Sequence, residues 1–589
     1  MQLNPWALAG VALVAAATLY LGYRTSQSAR STDDFLIARR MVRSRRNASA
    51  ISGEYICAAS FLGVSGLVLK DGADALWFPV GFTAGFLALV IFVAAPLRRS
   101  GAYAIPDFLE ARLGATVLRS TSTCFVAALG LIYLVPQLQG VGLALESVVP
   151  GVEGWWGSTV VVAFIVANVM RRGMRSVTLV QAFQHWIKLF ALAIPTFLLC
   201  AVFLGSGGEG ASGGLGAEAP PEFTEETTVT VGTDVTLRVG EPTAVHELDK
   251  DSPEPTVWMP SIDYPVSEGQ RLLFPAGSFV PVVSDAELDN ASWLRPAKDA
   301  DDLWWTYSVI TAMFLGTMGL PHVLARFYTN PDGRAARRTT VQVLLLLGVF
   351  YLFPILLGAL SRLYVPQLLV TGETDAAVLE LPTAMLPGVA GQVVVAVLAA
   401  GAFAAFVSAS SGLLVSVAGM VATDLLWNKT RDFRIVVFVV SGLAAAGAVV
   451  LPHDDLAHTV GLAFALAAST FCPVLLLGIW WRKLTWVGAL LGMLVGGTGV
   501  LTAVVFYVVS RVNGESVPWF VAQPALLTVP AALFTTVIVS LATARRVPDD
   551  AGVVMLQLHA PDRLGFMCDR RGGGPTVRRW DDTDRRHRS

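Results

Sequence analysis

Apolar residues run along this chain in long blocks, separated by short polar connectors and one long polar interruption. A helix needs about 20 mostly apolar residues to cross a bilayer. Blocks close to that length lie at about 6–23, 48–70, 78–97, 121–147, 155–170 and 176–205. After the interruption come 303–323, 339–363, 390–426, 435–451, 459–480, 484–509 and 519–543. The pattern predicts an all-α polytopic membrane protein with about 13 transmembrane helices. The first block lacks a basic start and a small-residue cleavage site, so it reads as a retained helix rather than a signal peptide.

The connectors orient the helices. Arg24 to Arg46 carries seven arginines against Asp33 and Asp34, and short cytoplasmic loops favour Lys and Arg. Placing this connector in the cytoplasm puts the N-terminus outside and, after an odd number of spans, the C-terminus inside. Alternate loops agree. Those assigned inside hold Arg98, Arg99, Arg112 and Arg119, then Arg171, Arg172 and Arg175, then Arg326, Arg334, Arg337 and Arg338, then Lys429, Arg431 and Arg434, then Arg482 and Lys483. Those assigned outside, such as Pro150 to Glu153 and Pro452 to His458, are poor in basic residues. The expected localisation is a plasma membrane.

The organisation read from this pattern is a first transmembrane helix within 1–25, a first half over 48–205, an extracellular insertion over 206–302, a second half over 303–480, two peripheral helices over 484–543 and a cytoplasmic tail over 544–589. The insertion holds 19 acidic against five basic residues, a formal −14. It opens with a flexible Gly-rich run. Thr227 to Val239 alternates about Gly-Thr-Asp, which reads as one hairpin, and seven prolines from Pro253 to Pro296 argue against long regular elements. The tail is Arg-rich, with weak attraction to anionic membrane lipids as its plain reading.

Composition strengthens the class and narrows the chemistry. Of 589 residues, 54% are hydrophobic and only 15% charged, against about 25% charged in a soluble domain. Cys57, Cys124, Cys200, Cys472 and Cys568 show neither a disulfide framework nor a metal spacing. No nucleophile–base or metal set appears, so an enzyme is not expected, and nothing supports nucleic-acid binding. The densest polar cluster in an outer loop, Pro452 to His458, reads as an exposed turn with its two acids facing water.

Three stretches inside the spans carry the chemistry. Asn47 to Gly66, NASAISGEYICAASFLGVSG, holds one acid, Glu54, among small residues that let a helix unwind against a neighbour. Glu54 would repel an anion if charged, so it is expected to be paired, with Lys188 and Arg175 as candidate partners, protonated, or turned away from the substrate. Phe314 to His322, FLGTMGLPH, combines two glycines with a proline, a second place where freed backbone groups can meet an ion. These two helices each open a set of five spans, which predicts a five-plus-five inverted repeat. In Ala402 to Leu425, Ala405, Ser408 and Gly412 share one face; set against Gly53 to Ile56 they would converge hard oxygen ligands suited to an alkali cation. Thr317, Gly319 and His322 join Glu54 as substrate-path candidates.

On Asp33-Asp34-Phe35-Leu36-Ile37-Ala38-Arg39, Gly53-Glu54-Tyr55, Ala58-Ala59-Ser60-Phe61-Leu62-Gly63, Gly173-Met174-Arg175 and Gly319-Leu320-Pro321-His322-Val323-Leu324-Ala325-Arg326-Phe327, the chain resembles the sodium/solute symporter family, in its cation/acetate or monocarboxylate branch. The resemblance covers roughly 1–205 and 303–545. It implies a sodium ion between the first and eighth helices of the core, with carbonyl ligands from Gly53, Ile56 and Ala405 and the hydroxyl of Ser408. The next family position usually offers Ser or Thr, and here it is Ala409. One hydroxyl is therefore missing, which leaves the coupling cation, sodium or a proton, open. The implied function is symport of a small monocarboxylate such as acetate, propionate or pyruvate. A neutral solute such as an amino acid, or a membrane sensor on the same scaffold, are the alternatives.

Overall fold

In the computed structural model, residues 4–25, 40, 42–149, 151–170, 174–206, 220–232, 234–249, 256–260, 262–284, 286–296, 300–426, 429–452, 455–513 and 517–564 are described. Arg171, Arg172, His453, Asp454, most of the connector over 26–39, the Gly-rich opening of the insertion and residues 565–589 lie outside them, as do the side chains of Arg175, Lys429 and Arg431.

Each expected span has a helical counterpart. They are α1 (Pro5–Thr25), α2 (Ser44–Tyr55) with α3 (Val64–Asp71), α4 (Trp77–Phe92), α5 (Thr116–Val148), α6 (Gly154–Val169) and α7 (Met174–Gly205). After the insertion come α8 (Ala300–Gly319) with α9 (Pro321–Phe327), α10 (Gly333–Tyr364), α11 (Val389–Asp424), α12 (Lys429–Val450), α13 (Leu456–Trp480), α14 (Trp486–Asn513) and α15 (Ala525–Ala542). Among the described residues ten helices are individually long and apolar enough to cross a membrane, two bent pairs qualify together, and α6 is a shorter apolar helix.

Both bent pairs fall where the sequence weakens the helix. Leu320 precedes a proline, whose ring excludes the helical conformation from its predecessor, and it is extended at φ −66° and ψ 111°. Pro321 then opens α9, where its missing N–H costs nothing, and the pair bends by 42°. The first break is sharper, at 76°. α2 ends at Tyr55 with Ile56 extended, and the chain re-enters helix through a π-type turn over Ala59–Gly63. The amide of Ala58, orphaned by the break, donates to Gln137 Oε1 on α5 at 2.8 Å. Each half packs its broken helix against its own last span, α2 on α7 and α8 on α13. Glycines on α8 make the second contact close: a Cβ at Gly316 or Gly319 would strike the backbone of α13.

The insertion is more ordered than expected over its described part. β1 (Thr227–Thr230), β3 (Thr243–Glu247), β4 (Thr256–Trp258) and β6 (Arg271–Phe274) form one sheet in the order β1-β6-β3-β4, while β5 (Tyr264–Val266), β2 (Val235–Arg238) and β7 (Val282–Val283) form another in the order β5-β2-β7. The expected hairpin over Thr227 to Val239 is therefore corrected. β1 pairs with β6 and β2 with β5 and β7, so the two strands part into different sheets. Their apolar alternation serves burial rather than mutual pairing: Val229, Leu272 and Phe274 are buried from one sheet, Leu237, Val266 and Val282 from the other. The insertion is tied to the end of α3. Trp293 Nε1 donates to Val68 O at 2.7 Å, and Arg362 of α10 donates to Leu69 O at 3.2 Å, Asn290 Oδ1 at 3.1 Å and Glu287 O at 3.0 Å.

That end is also clamped by Lys70, whose Nζ lies 2.7 Å from Asp455 Oδ2. The reading of Pro452 to His458 as a turn with both acids in water is corrected for Asp455, which is mostly buried and pairs across to α3. Among the described residues no group of His, Cys, Asp and Glu could hold a metal ion. At the opposite end, arginines bind the short helices that join the spans: Arg98 donates to Pro331 O at 2.7 Å, Arg99 pairs with Asp562 at 2.8 Å, and Arg119 bridges Glu110 and Asp424.

Candidate functional site

The break after α2 frees the carbonyls of Gly53 and Ile56, which no longer have a helical amide to accept. Two elements converge on them. α11 supplies Ser408, whose hydroxyl donates to Gly53 O at 2.6 Å and lies 3.4 Å from Ala405 O. α7 supplies Lys188, fully buried, whose ammonium donates to Gly53 O, to Ile56 O at 2.8 Å and to Ser408 Oγ. Gly53, Ile56, Ala405 and Ser408 are thus brought together, and Ala409 beside them is buried and adds no oxygen. Ser411, on the same helix, makes no hydrogen bond with its hydroxyl.

Two to three turns back along α7 the same face builds a second network. Arg326 of α9 donates from Nε to Glu54 Oε2 at 2.7 Å, from Nη1 to Thr178 Oγ1 at 2.8 Å, and from Nη2 to Gln181 Oε1. Gln181 in turn donates to Ser408 O at 2.9 Å, so the two networks share α7 and α11. Arg326 and Glu54 are both essentially unexposed. Glu54 is therefore paired, as its burial requires, with Arg326 rather than Lys188; the side chain of Arg175 lies outside the described residues. Arg326, grouped by sequence with an inner loop, is a core residue.

Thr317 and His322 sit on the other side of the breaks. Tyr55 OH and Thr317 Oγ1 are 2.8 Å apart and join the two broken helices directly. Tyr55 lies edge-on to Phe82, Phe86 and Phe464. His322 is buried against Tyr133, with ring centroids 5.3 Å apart, and Gly319 packs on α13. Thr317 therefore meets Tyr55, His322 meets Tyr133 and Gly319 meets the α13 backbone, whereas Glu54 belongs to the Arg326 network. All four are buried, so the structure is closed over both breaks.

Sequence reasoning missed Arg326, Gln181 and the placing of Lys188. A signal existed: Thr178, Gln181, His185 and Lys188 recur at helical spacing in an otherwise apolar span, and polar residues in a membrane helix mark function by default.

The Tyr55–Thr317 bond gives a test of closure. Thr317 also donates to Met313 O at 2.8 Å, so Tyr55→Phe removes one neutral hydrogen bond without stranding its partner. A loss of about 1 kcal/mol from the closed state corresponds to a roughly fivefold larger open population. Cys57, buried at the first break, should react with a water-soluble thiol reagent about fivefold faster in that variant. The measurement requires Cys124, Cys200, Cys472 and Cys568 to be replaced in the background.

A five-plus-five helical core with two broken helices meeting near its centre defines a secondary transporter of the inverted-repeat class. In shape it is similar to a sodium-coupled sialic acid symporter solved in a substrate-bound outward-open state, with a TM-score of 0.61 over 92% of this chain and 98% of that one at 13% identity. The chain belongs to the sodium:solute symporter family, which matches residues 35–234 and 284–496. It is 27% identical over 543 residues to a monocarboxylic acid transporter of Corynebacterium glutamicum, covering 87% of each chain.

Proposed function

We propose that this protein takes up a small monocarboxylate, such as acetate, propionate or pyruvate, across the plasma membrane in symport with a cation, by alternating access. One observation carries the choice of an anion. The charged side chains described at the breaks and on the α7 face between them are Glu54, Arg326 and Lys188, one acid against two bases. Glu54 is spent on Arg326, so a protonated Lys188 gives the closed core one surplus positive charge. A carboxylate arriving at the breaks would neutralise it, whereas a neutral solute would leave it uncompensated in a poor dielectric. The similarity to a monocarboxylic acid transporter supports the same reading.

The proposed orientation has the acidic insertion and the N-terminus outside and the C-terminus in the cytoplasm. Clustering of Arg98, Arg99 and Arg119 at the end opposite the insertion supports it.

The test is labelled-acetate uptake by purified protein in liposomes, with sodium, proton and voltage gradients imposed separately. The expected result is saturable accumulation, competed by propionate and pyruvate and not by proline. Proline transport with no acetate uptake under any gradient would overturn the proposal.

A further inference from the structure

We infer that the ammonium of Lys188 is the resident cation of the site that family resemblance assigns to sodium, so that this protein binds no sodium there. The inference rests on the site described above and refines its coupling.

The argument is one of valence and space. An ammonium has three N–H donors and no acceptor. Lys188 meets three acceptors: Gly53 O, Ile56 O and Ser408 Oγ. These are three of the four groups that would ligate an alkali ion, and the fourth, Ala405 O, lies 3.4 Å from Ser408 Oγ. Every donor is used, and no bare oxygen set remains for a second cation. A sodium ion in the same set would stand at contact distance from a like charge. The ammonium also has what a bound cation needs. α2 ends there, and the negative end of its dipole, concentrated in the freed carbonyls, faces Nζ.

Two departures in the sequence become one change. Ala409 withdraws an oxygen from the site, and Lys188 delivers a positive charge to it on a tether from α7. A family sodium site losing a ligand would bind more weakly; a site whose cation is covalently attached does not need that ligand. His185, one turn before Lys188, is buried with neither ring nitrogen hydrogen-bonded, and Glu54 is hydrogen-bonded to Arg326, so neither makes a hydrogen bond to the ammonium. A tethered cation does not leave with the solute. Of the two coupling cations considered, sodium is thereby removed from this site.

The test uses the full-length purified protein without substrate. Its melting temperature is measured in sodium chloride against choline chloride at equal ionic strength and fixed pH. Wild type is expected to show no sodium-specific shift, and its acetate uptake is expected to be unchanged when choline replaces sodium. Lys188→Ala vacates the position while leaving the oxygens of Gly53, Ile56, Ala405 and Ser408. That variant is expected to gain a saturable, sodium-specific rise in melting temperature. Sodium-specific stabilisation of the wild type, or sodium-dependent uptake by it, would overturn the inference and leave the monocarboxylate reading standing. A folded Lys188→Ala protein indifferent to sodium would overturn it as well. Should that variant fail to fold, the two wild-type measurements still decide. Sodium-independent proline uptake would instead overturn the substrate reading and leave this inference intact.

Discussion

Arg326→Gln is expected to destabilise the protein by about 3–5 kcal/mol and to abolish uptake, because it leaves the carboxylate of Glu54 buried without its partner. The pair is essentially unexposed, so neither water nor salt can take over the role of the guanidinium. Glutamine also loses the fork that holds Thr178 and Gln181 together with Glu54. The more telling variant is the double one. Glu54→Gln with Arg326→Gln removes both charges together, so no uncompensated charge is left in the core, and the double variant is expected to be more stable than Arg326→Gln alone. It also restores the surplus positive charge, since Lys188 is then the one ionised group of the three. The single variant carries Lys188 against Glu54 and has no surplus. Uptake is therefore expected to be lost in Arg326→Gln, and regained in part, together with the melting temperature, in the double variant. Melting in detergent and labelled-acetate uptake per folded molecule check both. A double variant that recovers stability without any uptake would show that the guanidinium itself, rather than the charge balance, serves the substrate.

How much of this was legible in the sequence differs between fold and site. Backbone hydrogen bonding inside a bilayer leaves a helix few alternatives, so apolar blocks translate almost directly into α1 to α15, and Leu320-Pro321 dictates its own break. The convergence of Ser408 with Gly53 and Ile56 was also readable, as small residues and freed carbonyls on helices that had to meet. The partner of Glu54 was not. Arg326 follows a break by only a few residues, and charge counting along the chain assigns such a residue to a loop; its burial depends on the 42° bend that turns α9 back into the core. The ammonium of Lys188 was legible only as a polar residue of uncertain depth, because nothing in α7 alone tells where the carbonyls of another helix open. The β1–β2 alternation misled for a related reason: a period of two identifies a buried face, and it does not say which strand lies alongside.

Gly53→Ala carries the second large expectation, and here two effects oppose each other. Gly53 lies in the last turn of α2, where alanine is favoured over glycine by about 1 kcal/mol in helix propensity. Packing acts the other way. A Cβ at this position would collide with the backbone carbonyl of Gln181 and come within 3.2 Å of His185 Cβ, both on α7. A backbone carbonyl cannot rotate aside, so relief requires α2 and α7 to move apart. Overpacking of this kind costs about 1–3 kcal/mol or more, which outweighs the propensity gain. The functional loss should exceed the loss in stability. The same separation draws Gly53 O away from Lys188 and Ser408, and a bridge spanning three elements cannot follow two of them at once. Gly348→Ala on α10 is the control: nothing lies within 4 Å of the added carbon, so the propensity term stands alone and uptake should be unchanged. Melting temperature and acetate uptake of the two variants, compared side by side, separate close approach of α2 to α7 from any general intolerance of alanine. If Gly53→Ala transports as well as Gly348→Ala, the contact between α2 and α7 is looser in the working protein than in its closed form, and the cation position must be assembled during the cycle rather than held throughout it.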